Sequence, residues 1–377
     1  MSNTFLTVTD IADQALLRLR ENEVMSALVW RDFDGEFTAR KGDTVNVRVP
    51  NTFTANDFDT TISSQSIAES SVPVKLDKIA DVSIDITSKE RSLNLYDFTE
   101  QVINPAMEAL ASKIDKSLTG LYEDIPYFVG TSGTTPSTLA AFADAGKILN
   151  DNKVPMSMRR GVWDPAALAE FQQLDKFVEA DKAASTETLR DGQIGRVYMI
   201  DNFMDQNVKT HTAGGYTALA DVTITAGAKD ATSITLTSAA GTSTAKLEKG
   251  DLFTLDGNQY VVTAQTAAAV SGVVTVAIYP ALPAAFGDMT SAVVTFADQT
   301  ARAHVNNLVF HKNAFVLVNR PMELPSGGAE GAVASFEGLS IRVTQGYNMS
   351  TKTETLSFDL LYGLKTVHKE LAVRVLG

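Results

Sequence analysis

Cysteine is absent from this 377-residue chain. That absence excludes disulfides, thiolate zinc sites, iron–sulfur clusters and cysteine nucleophiles. Long apolar runs are missing as well: no stretch approaches 18 uninterrupted apolar residues, so no membrane-spanning helix is expected. The opening Met1-Ser2-Asn3-Thr4-Phe5 lacks a basic region followed by an apolar run, so no secretory leader is expected either. Folding in a cytoplasm follows, and the triplet Asn348-Met349-Ser350 then carries no glycan. Basic residues are outnumbered, 32 Lys+Arg against 45 Asp+Glu, for a formal charge of −13. That balance argues against nucleic-acid binding over the whole surface.

Catalytic signatures are equally scarce. There is no Gly-x-Ser-x-Gly elbow and no Gly-x-Gly-x-x-Gly fingerprint. Thr131-Ser132-Gly133-Thr134-Thr135 lacks the Gly-Lys-Ser/Thr that a phosphate loop needs. The four histidines, His211, His304, His311 and His368, lie far apart with no i, i+4 pairing, so no metal site is expected through them. Arg159-Arg160, the only adjacent arginine pair, reads as a salt-bridged surface turn rather than a DNA contact. Asp57, Asp59 and Glu69 read as solvated carboxylates rather than cation ligands. No catalytic, cofactor-binding or metal residue is nominated, and no enzyme is expected.

What is present is a long chain, 44% hydrophobic, enough for more than one folded core. Ile11, Ala15, Leu16 and Leu19 follow a 3.6-residue period after a Thr9 or Asp10 cap, predicting a helix packed on its own core or on a neighbouring subunit. Asp43 to Val49 alternates apolar and polar residues up to Pro50, and Val72 to Ile86 alternates likewise, predicting paired strands. Between them, Asn51 to Ser71 is long and polar yet carries Phe53, Phe58, Ile62 and Ile67. Such residues are odd choices for a freely solvated loop; they suit an arm that reaches a neighbour. Asn104-Pro105 reads as a cap and first turn. Met107, Leu110, Ala111, Ile114, Leu118 and Leu121 then mark one face of a helix to about residue 123, with Glu108, Lys113, Asp115 and Lys116 elsewhere. Thr138–Asn150, a strand at Gly161–Trp163, a helix opened by Asp164-Pro165, and a turn into a strand over Gly192–Ile200 predict a mixed α/β region.

A change of composition follows. From Gly214 to Asp298 there is no arginine, and Ala, Thr, Val and Gly dominate. Short strands at Ser233–Leu236, Leu252–Leu255, Tyr260–Thr263 and Val273–Val276, with a turn at Asp256-Gly257-Asn258, predict a small, separately inserted all-β barrel or sandwich. The chain closes on further strand runs, Asn307 to Arg320, Leu339–Val343 and Asp359–Lys365.

This order of elements resembles the major capsid proteins of tailed bacteriophages with the Hong Kong 97 fold. It is carried by Arg31-Asp32-Phe33-Asp34-Gly35-Glu36-Phe37 leading to Gly42–Val47, by Asn104-Pro105, by Gly192-Gln193-Ile194-Gly195 and by the closing strands. The inserted β-domain is similar to that of the coat-protein branch of the Salmonella short-tailed phage. The resemblance implies an α+β capsid fold with an N-terminal arm (1–34), an extended loop and strands (35–89), a spine-helix peripheral region (90–127), an axial region (128–213), the insert (214–300) and return strands (301–377). It implies contacts to a neighbouring subunit through Phe53, Phe58, Ile62 and Ile67, and pentamers and hexamers in a shell around double-stranded DNA. Scaffolding and portal proteins are implied partners, a decoration protein a further one, and the virion the final location. Some relatives crosslink through an extended-loop lysine; Asn51 to Ser71 contains none. An encapsulin-like compartment and a cell-surface module built on the insert are the alternative readings.

Overall fold

The computed structural model describes residues 8–31, 44–49, 57, 70–87, 102–178, 192–218, 222–226, 228–238, 246–283, 293–299, 301–325, 330–336 and 339–377. The chain divides into two compact units. One holds Met1–Glu23, Trp30–Ile114 and Phe315–Val367; the other holds Val24–Val29, Asp115–Ala314 and His368–Gly377.

In the first unit, helix α1 (Val8–Asn22) starts one residue before Thr9. Ile11, Ala12, Ala15, Leu16 and Leu19 are buried, and the helix packs on β17 (Glu330–Phe336) and β18 (Leu339–Asn348) of its own chain. Of the two readings of the apolar stripe, the intramolecular one is realised there. Strands β1 (Thr44–Val49) and β2 (Ser70–Lys75) pair antiparallel, with Val47 opposite Val72, so the two ends of the long excursion form a ribbon as the alternation predicts. A second sheet centres on β19 (Thr353–Thr366), which pairs β3 (Lys78–Thr87), β18 and β16 (Phe315–Arg320). Val47, Val74, Leu76, Val316 and Val318 form one buried cluster, with Trp30 against it.

The long helix, α3, spans Asn104–Thr119 and continues as a 3-10 turn over Gly120–Asp124. At ~1.5 Å per residue it is ~24 Å long, shorter than the stripe to residue 123 predicts, because the tighter turn takes over at Gly120. Met107, Leu110, Ala111, Ile114 and Leu118 are buried as expected. Two details differ. The Asn104 side-chain oxygen accepts no hydrogen bond, so it is not the helix cap. Asp115, read as a surface charge, is buried and accepts from the backbone N–H groups of Val24 (2.9 Å) and Met25 (3.1 Å). It thereby satisfies the amides that open the short helix α2 (Met25–Leu28) and have no partner within the helix, the role an N-cap side chain usually plays.

The second unit is built on a mixed sheet in the order β4 (Phe128–Val129), β20 (Ala372–Leu376), β15 (Ala303–His311), β5 (Arg159–Trp163), β7 (Ile200–Met204), β6 (Arg196–Val197), with β8 (Thr210–Thr212) also pairing β15. Helices α4 (Ala140–Asp151), α5 (Pro165–Gln172) and α6 (Asp175–Val178) accompany it. Phe142, Trp163 and Phe171 pack with ring centroids 4.6–4.9 Å apart. Asp164 caps α5 by accepting from Ala166 and Ala167 N–H, with Pro165 in the first turn. The segment Gly192–Ile200 is a hairpin rather than a turn into one strand. β6 and β7 pair through Tyr198 and Met199, both at positive φ.

The insert is a closed six-stranded barrel. Its strands are β9 (Val222–Ala226), β10 (Ser233–Ser238), β11 (Leu252–Leu255), β12 (Asn258–Val262), β13 (Val273–Tyr279) and β14 (Val293–Phe296), ordered β10-β13-β12-β11-β14-β9. Closure leaves no free sheet edge. Asp256 (φ 47°) and Gly257 (φ 79°) make the two-residue turn between β11 and β12, the left-handed pair that a tight hairpin requires. Tyr216, Leu236, Phe253, Tyr260, Val276 and Phe296 are among its buried core.

Candidate functional site

Among the described residues, a dense collection of buried ionisable groups lies at the root of the barrel. β8, which precedes the insert, and β15, which follows it, pair so that His211 stands directly opposite His304. Their rings are 5.5 Å apart in an edge-to-face arrangement. Histidines 93 positions apart in sequence, expected to be unrelated, are therefore neighbours. Asp251, at the mouth of β11, and Asp298, in the 3-10 turn after β14, close on them from the barrel side. His211 Nε2 lies 2.8 Å from Asp251 Oδ1, and His304 Nε2 lies 3.3 Å from Asp298 Oδ1.

Three of the four groups are held from behind. Tyr122 Oη is 3.0 Å from His211 Nδ1. Asp251 accepts from the N–H of Glu248 and Gly214. Asp298 Oδ2 accepts from Leu252 N–H at 3.2 Å. Gly214 is required here: a Cβ would sit 2.2 Å from the Lys246 carbonyl oxygen. Arg374, wholly buried on the last strand β20, donates to the carbonyls of Ile125 (2.9 Å) and Gly250 (2.8 Å). Its guanidinium lies 5.1 Å from the Tyr122 ring centroid. A shallow cleft borders the cluster, lined by Glu123, His211, Glu248, Lys249 and Arg302 among others.

Burial dominates the electrostatics. It pushes the Asp298 carboxyl up to about 6, aided by the neighbouring Asp251 charge and opposed by His211, the Leu252 N–H and Arg374. It pushes His304 down to about 4, with His211 and Arg374 acting in the same sense, and lowers Arg374 to about 10 against the pull of Asp298. These are the shifts that desolvation imposes on charged groups.

The other nominated segments fall into place individually. Phe53, Phe58, Ile62 and Ile67 lie outside the described residues, as do Asp59 and Glu69, whereas Asp57 is exposed. The Thr131–Thr135 loop is a tie. Buried Ser132 donates to Ala297 O and accepts from Ala301 N–H, fastening the exit of the insert. Arg159 is no surface turn: it is buried in β5 and donates to the carbonyls of Pro155 and Val154 and to Asn150 Oδ1. Arg160 donates to the Ala27 carbonyl. His311 is buried and accepts from Asn313 N–H. Sequence reasoning missed Asp251, Asp298 and Arg374 altogether. Asp251 directly precedes a strand run and Asp298 follows one, a placement that was the one available signal.

No protein-family model and no curated protein sequence matches the chain. Solved structures do. A protein of Mycobacterium phage Che8 superposes with a TM-score of 0.54 at 14% identity, over 94% of this chain and 90% of that one. The chain shares its fold with that phage protein. The capsid of cyanophage P-SCSP1u (TM-score 0.46, 12% identity, 89% and 83% covered) and the mature capsid of bacteriophage PhiM1 (0.47, 10%, 89% and 82%) are more distant. At these identities the likeness is one of fold, and here that fold carries a closed six-stranded barrel.

Proposed function

We propose that the protein is the major capsid protein of a tailed bacteriophage, a structural subunit that assembles into the icosahedral head around double-stranded DNA. The observation that carries the reading is the shared fold over 94% of the chain with a phage protein. In this reading the β1–β2 ribbon is the base of the extended loop, whose Phe53, Phe58, Ile62 and Ile67 bury against an adjacent subunit. Helix α3 is the peripheral spine, the sheet of the second unit is the axial core, and the barrel is the insertion domain of the Salmonella short-tailed-phage type. Pentamers and hexamers form with a scaffolding protein and a portal, inside the host cytoplasm, before DNA enters. The Tyr198-Met199 hairpin tip belongs to the same set of contacts. Both side chains are about half exposed, at 56% and 49%, and both sit in a backbone region that costs roughly 1–3 kcal/mol per residue. An exposed apolar tip kept in such a turn suits burial against another copy.

Size-exclusion chromatography with light scattering, across salt and protein concentration and with a co-expressed scaffold, tests the reading. Capsomer- or shell-sized species support it. A compact monomer under every condition removes it.

A further inference from the structure

We propose that His211, Asp251, Asp298 and His304 bind a divalent transition-metal cation of the zinc class, which staples the inserted barrel to the strands at its root. The donor set is two imidazole nitrogens and two carboxylate oxygens, which suits zinc, cobalt or manganese better than calcium or magnesium, cations that take mostly oxygen ligands in larger numbers. The ligand atoms of His211, Asp251 and Asp298 all lie within 4.8 Å of one another, and His304 stands outside that trio, joined to it through Asp298. Bonds of about 2.0–2.2 Å in a tetrahedron place ligand atoms about 3.3–3.6 Å apart. The His304 Nε2 to Asp298 Oδ1 separation of 3.3 Å matches that spacing, whereas His211 Nε2 and Asp251 Oδ1, hydrogen-bonded at 2.8 Å, would part by about 0.5 Å to hold an ion between them.

A second, independent observation points to a ligand. His304 and Asp298 have wholly buried side chains, yet Asp298 Oδ1 and both His304 ring nitrogens make no hydrogen bond of good geometry. Beside the His304 ring stand Asp298 Oδ1 and the carbonyls of Ala301 and Arg302. Unsatisfied buried polar atoms are rare and costly, and here Asp298 Oδ1 and His304 Nε2 face each other. The outward atoms, by contrast, are occupied: Tyr122 Oη holds His211 Nδ1, Leu252 N–H holds Asp298 Oδ2, and Glu248 N–H holds Asp251 Oδ2. The inner atoms are left to one another, His211 Nε2 to Asp251 Oδ1 and His304 Nε2 to Asp298 Oδ1; outer atoms tied to the surrounding chain are how supporting groups orient metal ligands. The cleft bordering His211 supplies an entry path. Arg374 opposes a cation electrostatically, but two carboxylates outweigh one guanidinium. His211 and His304 flank the insert and Asp251 and Asp298 belong to it, so one ion crosslinks both sides of the junction in a chain with no cysteine to do so. The proposal stands independently of the capsid reading.

The test uses the full chain, purified tag-free without chelator. Elemental analysis should find about one zinc per chain. After stripping with chelator, the melting temperature should rise on titration with zinc chloride and not with magnesium chloride. His304→Gln and Asp298→Asn should each abolish both the retained metal and the zinc response. Should a variant fail to fold, cobalt substitution of the wild-type chain gives a separate reading: strong visible bands of four-coordinate cobalt support the site, and the weak spectrum of a six-coordinate ion overturns it. No retained metal and no melting response to zinc, manganese or cobalt overturns the proposal, as does metal binding that survives both substitutions.

Discussion

Asp115→Asn should convert a pH-dependent contribution to stability into a flat one. Burial raises the Asp115 carboxyl from its usual 3.8 to about 7, and the Asp205 charge adds to the rise against the bonds from Val24 and Met25. A carboxyl whose pKa is higher folded than unfolded holds its proton more tightly in the folded chain. The resulting stability is complete below the lower value and is lost as pH climbs to the upper one. Each pH unit in that window is worth about 1.4 kcal/mol, so between about pH 5 and about pH 8 the native carboxyl gives up about 2–3 kcal/mol. Asparagine, like the protonated acid, offers one acceptor where the carboxylate offers two, so near pH 5 the two proteins should be about equally stable. Near pH 8 the variant should be more stable by about 2 kcal/mol. Urea unfolding followed by circular dichroism at both pH values, without assembly, measures the gap. A gap that stays constant from pH 5 to pH 8 refutes the assignment of a buried, protonated carboxyl at the start of α2.

Arg374→Met leaves Asp251 and Asp298 without their buried cation and two carbonyls without a donor. Urea unfolding should show a loss of about 3–5 kcal/mol. Replacing Tyr198 with Asn and Met199 with Gly relieves two strained residues, so the melting temperature should rise while assembly yield on sucrose gradients falls. In Phe58→Ser the lost burial is worth about 1.5–3 kcal/mol per copy. Assembly yield should drop with the monomer's circular dichroism and melting midpoint nearly unchanged; an unfolded monomer would make Phe58 part of its own core. The isolated segment 214–300 should give dispersed amide signals, because the barrel has its own buried core. It should also melt below the full chain, because Leu252 and Val261 pack with Leu376 outside the segment.

Much of this fold was legible in short-range pattern. Alternation located β1, β2 and β3, and the stripe of α3 named its buried face. Asp164-Pro165 marked a helix start, and Asp256-Gly257 marked a hairpin, because those residues state local backbone geometry directly. The insert announced itself by a change in composition. What stayed hidden depended on long-range convergence. Asp251, Asp298, His304 and Arg374 come from separate strand ends, and nothing in their spacing signals that the register His304↔His211 will bring them together. Asp115 sat in a helical pattern among Glu108, Lys113 and Lys116 and gave no sign that another helix start would cover it. The Tyr198-Met199 turn escaped because neither residue favours the left-handed backbone it adopts. Strands β17 and β20 also went unread. For β20 the reason is visible: Arg374 interrupts an apolar run and reads as exposed, though it is buried and donates to two backbone carbonyls.

The central claim is that many copies of this chain build a closed shell. Negative-stain electron microscopy of the purified protein, co-expressed with its scaffold, addresses that directly. The account predicts closed, uniform icosahedral particles. Dispersed monomers, or only amorphous aggregate, in preparations that are folded by circular dichroism would contradict it.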